Sequence, residues 1–235
     1  MIKNSIRSLA KNVIDFKIDA LKILKKKIDI NFDKAVNTIV NCQSKIILCG
    51  VGKSGLIASK ISSTLSSIGS PSFSLSANDC LHGDLGSITR KDVLILISNS
   101  GKSDELIPII KFANRNKIKL IGIVSKKNSF LYKASDIKIL MPEVKESGLG
   151  IVPTSSTSIQ LAMGDALAIA ALKKKQFSKY DFSRLHPGGN LGKQLKTVGD
   201  VMVTGKKVPF INENKNMTEA IRIISKKKLG VGIVC

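Results

Sequence analysis

Apolar positions in residues 1–42 recur at helical spacing: Ile6, Leu9, Val13, Phe16, Ala20, Leu21 and Leu24, then Ala35, Val36, Ile39 and Val40. That period predicts one or two amphipathic helices laid on a core or on a partner subunit. Beyond residue 42 the period changes. Ile46-Ile47-Leu48-Cys49 is a short continuous apolar run, followed by Gly50-Val51-Gly52-Lys53-Ser54-Gly55 and a helical stretch to about Ile68. Similar strand-like runs stand at 71–75, 93–97, 120–124 and 137–140, with helical patterns from about Asp104 to Asn114 and Ser155 to Lys174. Alternating strands and helices predict an α/β fold, a doubly wound parallel sheet of about five strands flanked by helices. Ligands of such sheets bind outside the carboxyl ends of the strands, where the glycine- and serine-rich turns fall.

After Lys193 the pattern changes again, to an apolar Val198–Val203, a Gly-Lys-Lys turn, Val208-Pro209-Phe210, a helix over Met217–Lys228 and a strand at Val231–Val234. Some forty residues are too few for an independent core. The segment also ends inside a strand pattern, as though a further element were missing. The expected division is a helical segment 1–42 packing on the core, an α/β domain 43–195 and a short segment 196–235.

Composition narrows the function classes. The formal net charge is +21, carried mainly by lysine, with arginine only at 7, 90, 115, 184 and 222. Aromatic residues make up 4% and tryptophan is absent, so no stacking platform accompanies the charge and a nucleic-acid partner is not expected. A positive surface does steer phosphorylated small molecules. No apolar run reaches the roughly 18 residues that cross a bilayer, and no secretory leader is evident. Cys42, Cys49, Cys80 and Cys235 form no C-x-x-C pair, which fits a reduced, cytoplasmic protein with packing thiols.

The turns hold the chemistry. Gly50–Gly55 matches G-x-G-x-x-G, but no acid follows the next strand to hold a ribose, where Ser76-Ala77-Asn78 stand instead. Its Gly-Lys-Ser lacks the first glycine of a P-loop, because Ile47 occupies that position. A small-molecule site using Lys53 is preferred over both nucleotide readings and over a purely structural turn. Ser98-Asn99-Ser100-Gly101-Lys102-Ser103, ahead of a helix, suits a phosphate, and Glu105 follows in the helix's first turn. Thr154-Ser155-Ser156-Thr157 exceeds the need of a helix cap and suggests a second anion contact. Glu146 lies just upstream, beside Gly148. Asp165, interrupting an apolar helix, reads as a buried structural partner. The two histidines, His82 and His186, both sit in glycine-bearing turns, and Cys80-x-His82 is too little for a metal centre.

Taken together, GVGKSG, HGDLG, ISNSGKSDE, VPTSST with its MGDALA helix, and HPGGNLG resemble the sugar isomerase (SIS) domain of D-arabinose-5-phosphate isomerases. The likeness runs from about residue 10 to 200, and the tail resembles the first portion of a tandem CBS pair. The resemblance implies aldose–ketose isomerisation of D-ribulose 5-phosphate and D-arabinose 5-phosphate, feeding the acidic sugar Kdo of lipopolysaccharide, in a homotetramer with no redox cofactor. It implies catalytic roles for Lys53, Glu105, Glu146 and His186, with Glu146 as the base and Glu105 its alternative. Substrate contacts are expected from Gly69, Ser70 and His82, and phosphate contacts from Ser98, Ser100, Ser103 and Thr154–Thr157. Ser76 stands where relatives carry a histidine for an inhibitory zinc, so no metal site is expected. The competing readings are a non-catalytic sugar-phosphate sensor and an isomerase of another sugar phosphate.

Overall fold

A computed structural model of the protein describes residues 5–187 and 197–235. They divide into two compact units, one ending at Leu185 and the other starting at His186. The first therefore takes in the N-terminal helices and stops ten residues short of the expected boundary at 195.

Five parallel strands make the sheet of the first unit: β1 (Ile46–Gly50), β2 (Ser72–Ser76), β3 (Val93–Ser98), β4 (Lys119–Val124) and β5 (Ile137–Leu140). Their spatial order is β2-β1-β3-β4-β5. The continuous apolar runs are explained by burial on both faces. Ile46, Leu48, Val93, Ile95, Ile97, Ile121 and Ile123 join one core cluster, while Ile47, Cys49, Leu94, Leu96, Leu120 and Val124 join the other. Successive side chains point to opposite faces, so one run of five or six residues serves two cores. The edge strand β2 is only half-buried, which is why it reads as the mixed Ser-Phe-Ser-Leu-Ser.

On the first face lie α1 (Ile6–Lys27), α2 (Ile30–Val40), α3 (Lys53–Ser67) and α7 (Ser155–Lys174), with α7 against the other three. The second face is covered by α4 (Ala77–Cys80), α5 (Leu106–Arg115) and α6 (Phe130–Ala134). A short α8 (Lys179–Leu185) closes the unit. Helix α1 buries only Ala20 and Leu24 and leaves Ile6, Leu9, Ile14 and Ile18 exposed. Asp165 is a structural partner as expected, but an exposed one: it pairs with Lys60 on the surface of α3 and α7. Cys49 and Cys80 are buried, and burial pushes the Cys49 thiol up to about 12, so both act as packing residues.

The amino ends of β1 and β3 are tied together by Asp92, whose side chain is fully buried. It accepts from the backbone N–H of Lys45 (3.2 Å) and of Thr89 (2.6 Å), the Thr89 hydroxyl (2.9 Å) and Lys45 Nζ (3.0 Å). Burial would raise its carboxyl, but the bonds from Thr89, Lys45 and Ser44 outweigh it and hold the group below its ordinary 3.8. Asp92→Ala is expected to cost about 3 kcal/mol, since it strands Lys45 and Thr89 without acceptors. The lowered value means this contribution is complete above about pH 4 and is lost as pH falls through the folded-state value. Urea unfolding of both proteins from pH 7 down into the acid range checks it: the gap should be wide at pH 7 and narrow as pH falls below 3.8.

The second unit contains α9 (Val198–Val201), a short β6 (Phe210–Ile211), α10 (Met217–Lys227) and β7 (Ile233–Val234). Strands β6 and β7 pair in parallel through Phe210 with Ile233 and Ile211 with Val234. Ile211 is buried, while Met217, Ile221, Val231 and Ile233 are exposed, in keeping with a segment too small for a core of its own. Among the described residues no helix is long and apolar enough to cross a membrane.

Candidate active site

Strand order reverses at β1, whose neighbours β2 and β3 follow it on opposite sides. Chains leaving the carboxyl ends of β1 and β3 therefore diverge and open a crevice. The turn after β1 is shaped by three glycines. A Cβ at Gly50 would lie 2.8 Å from the Ser54 carbonyl carbon, and one at Gly55 2.8 Å from the Gly50 oxygen. Gly52 adopts φ +56°. Close approach of β1 to the first turn of α3 thus accounts for G-x-G-x-x-G without any dinucleotide. It also sets Lys53 as the first residue of α3. A cation there opposes the helix dipole, and no carboxylate among the described residues pairs with it, so helix stability does not explain it.

A cavity of about 370 Å³ opens in this crevice. Lys53 and Ser54 line it from α3, Asn99 from the turn after β3, Glu146 and Pro153 from the loop before α7, and Ser156, Thr157 and Gln160 from α7. Glu146 is half-buried and locked in place. Its Oε2 accepts from the backbone N–H of Thr154 (2.7 Å) and Ser155 (2.7 Å) and from the Thr154 hydroxyl (3.0 Å). Its Oε1 receives one longer bond, from the Ser156 N–H (3.2 Å). Burial would raise the carboxyl, yet the bonds from Ser156, Thr154 and Ser155 hold it below the usual carboxylate range. Glu146 is thus an anion on the amino end of α7, fixed through one oxygen and less encumbered at the other.

That arrangement corrects one expectation. Thr154, Ser155 and Ser156 spend their N–H groups on Glu146, and the Thr157 hydroxyl donates to the Thr154 carbonyl (3.0 Å), so these residues do not stand open to a phosphate. The turn after β3 is better suited. Gly101 adopts φ +63°, and a Cβ there would strike the Ser129 side chain at 2.3 Å. Ser98 is buried beneath the turn; its hydroxyl accepts from the Gly101 N–H (3.0 Å) and lies 3.2 Å from that of Ser103. Ser100 stands exposed, with its hydroxyl accepting from the Lys102 N–H (3.2 Å). Among the described residues, the N–H groups of Ser103, Asp104 and Glu105 meet no protein acceptor. Three open donors where α5 begins make a cradle for an anion.

Glu105 sits half-buried at the amino end of α5, outside the lining of the cavity that holds Lys53 and Glu146. His82 is exposed in the turn after α4, outside the lining of a second depression of about 490 Å³ to which Gly50, Ser76, Asp79 and Asp84 contribute. Ser76 caps α4, accepting from the Asp79 N–H (3.3 Å). Gly69 and Ser70, expected from the resemblance to touch substrate, do not line the cavity of their own chain. They precede β2 at its amino end, where Pro71 accepts from the Ile46 N–H, whereas the cavity lies at the carboxyl ends. There Lys175 Nζ donates to the Gly69 carbonyl (2.7 Å) and the Ser70 hydroxyl (3.0 Å), and the Phe177 ring leaves no room for a side chain at 69. His186 opens the second unit, half-buried directly after α8, and its catalytic role rests on the resemblance alone. The rest of HPGGNLG after Pro187, residues 188–192, lies outside the described residues.

The sequence reading passed over Gln160. Its signal is an amide between Ile159 and Leu161, four residues after Ser156 and three after Thr157, hence on the same helix face.

Comparison with known proteins agrees with this geometry. A model of the SIS domain matches residues 39–170. Over 227 residues the chain is 39% identical to arabinose 5-phosphate isomerase KdsD of Yersinia pestis, covering 96% of this chain and 69% of that one. It is also 39% identical over 231 residues to the uncharacterized protein RP505 of Rickettsia prowazekii, covering 98% and 72%. Among solved structures, E. coli CFT073 c3406 in complex with arabinose 5-phosphate superposes with a TM-score of 0.76 at 32% identity, over 80% of this chain and all of that one.

Proposed function

Because the chain belongs to the SIS-domain family and, within it, to the arabinose 5-phosphate isomerases, we propose that it interconverts D-ribulose 5-phosphate and D-arabinose 5-phosphate through an enediol. The observation that carries this reading is the meeting of Glu146, Lys53 and the turn after β3 around one cavity at the switch point of the sheet. The phosphate rests on the Ser98–Ser103 turn and the amino end of α5. That anchors one end of a five-carbon chain and leaves C1 and C2 for the cavity.

Isomerisation moves one proton between C1 and C2 and redistributes protons on the two oxygens, with no net redox change. Glu146 is anchored at Oε2 and takes the C1 proton of the ketose through Oε1, exchanges it with solvent, and then delivers a proton to C2. Its lowered affinity for protons keeps it ionised at neutral pH, and the rigid hold on Oε2 fixes the direction of attack. Lys53 faces the negative charge that develops on the enediolate oxygens. The product would supply Kdo and lipopolysaccharide synthesis. Assembly as a homotetramer belongs to the same proposal, supported by the apolar residues of α1 that its own chain leaves exposed.

The test is a competition. With D-ribulose 5-phosphate and D-fructose 6-phosphate supplied together, the pentose should be consumed and D-arabinose 5-phosphate should accumulate. Consumption of the hexose alone would assign a different substrate, and pentose binding without product would favour a sensor.

A further inference from the structure

Gln160 has one face of its amide committed and the other open. The residue is 2% exposed, yet it lines the cavity shared by Lys53 and Glu146. Its Oε1 accepts from the Ser54 hydroxyl at 3.3 Å, which ties α7 to the turn after β1. Its Nε2 meets no acceptor among the described residues. Nor is that nitrogen sealed in the core, where Ser72, Ser147 and Ser155 keep unpartnered hydroxyls. An amide so placed, held at its oxygen by Ser54, keeps two N–H donors uncommitted on a residue that lines the cavity.

A purely structural amide would complete its bonds within the protein, because an unserved buried donor is unfavourable. Gln160 departs from that at the wall of the candidate site. Its partner must be an oxygen with lone pairs. A neutral amide adds no charge, so it suits a hydroxyl or carbonyl oxygen of a sugar chain better than a phosphate, for which the open N–H groups of 103–105 already provide. We infer that Gln160 is a substrate-binding residue that donates hydrogen bonds to an oxygen of the sugar carbon chain, apart from the phosphate, and thereby selects polyhydroxylated substrates. The inference rests on the proposed isomerisation and adds a residue to it.

Two measurements decide it. Gln160→Met keeps the length and removes both donors. Its kcat/KM for D-ribulose 5-phosphate should fall about tenfold, while the inhibition constant of inorganic phosphate stays within about twofold of wild type. Equal weakening toward both ligands would assign Gln160 to the framework of the site and overturn the inference, as would an unchanged kcat/KM. A crystal structure of the wild-type protein with D-arabinose 5-phosphate gives a reading that does not depend on folding of the variant. Nε2 should lie within about 3.2 Å of a sugar oxygen, and a separation beyond about 4 Å would overturn the assignment. If wild type binds the sugar phosphate but does not isomerise it, the proposed reaction fails, and that Nε2 distance still judges Gln160.

Discussion

Glu146→Gln is expected to lower kcat by about a thousandfold, the scale on which a positioned proton-transfer group contributes. The substitution changes shape little. It removes the charge and the basic lone pairs at Oε1, and one oxygen becomes an NH₂ facing backbone donors. Thr154, Ser155 and Ser156 all present N–H groups to this carboxylate, so an amide must turn its single oxygen toward Oε2's position and leave Ser156 poorly served. A stability loss of about 1–2 kcal/mol should accompany the loss of activity. The pH dependence separates the two effects. Because hydrogen bonding holds Glu146 below its ordinary 4.5, its contribution to stability is complete above that value and vanishes as pH falls through the folded-state value. The stability gap between wild type and Glu146→Gln should therefore close in acid, whereas the activity gap should persist across neutral pH. If Glu105→Gln abolishes turnover and Glu146→Gln spares it, the proton-transfer role passes to the carboxylate at the start of α5.

Lys53→Met is expected to move activity and stability in opposite directions. Loss of the cation facing the enediolate should lower kcat about a hundredfold. The helix should gain, because Lys53 places a positive charge at the amino end of α3 and has no carboxylate partner among the described residues. Removing it should stabilise the fold by about 0.3–1 kcal/mol at low ionic strength, an effect that salt screens. Thermal unfolding and steady-state kinetics on one preparation check both signs. A variant that loses activity together with stability would make Lys53 a framework residue instead.

The α/β architecture was legible because β1, β3 and β4 are buried on both faces, and nothing but a central strand needs five consecutive apolar residues there. Short elements were not. Helices α4 and α6 hold four and five residues and are set by local caps, Ser76 and Ser129, which leave no period to detect. At the site, Lys53 and Glu146 could be singled out because each disobeys its local context, a cation at a helix start and an acid in a glycine-rich loop. What spacing could not show was that Glu146 folds back onto α7. Thr154–Ser156 look like an open anion site until the chain's own carboxylate is seen to occupy it. Gln160 escaped for a related reason: a single amide on an apolar helix gains meaning only once Ser54, from 106 residues away, takes one end of it. The Gly69-Ser70 turn is the opposite case: its expected role comes from the resemblance, while within the chain its contacts are with Lys175 and Phe177.

The central claim is that proton transfer between C1 and C2 occurs on an enediol in this cavity, and isotope exchange tests it most directly. D-Ribulose 5-phosphate is incubated with the wild-type protein in D₂O, and the product is read by NMR. The account predicts D-arabinose 5-phosphate carrying deuterium at C2, since a proton resting on a carboxylate exchanges with solvent before it returns. No conversion, or conversion with protium fully retained at C2, would contradict it.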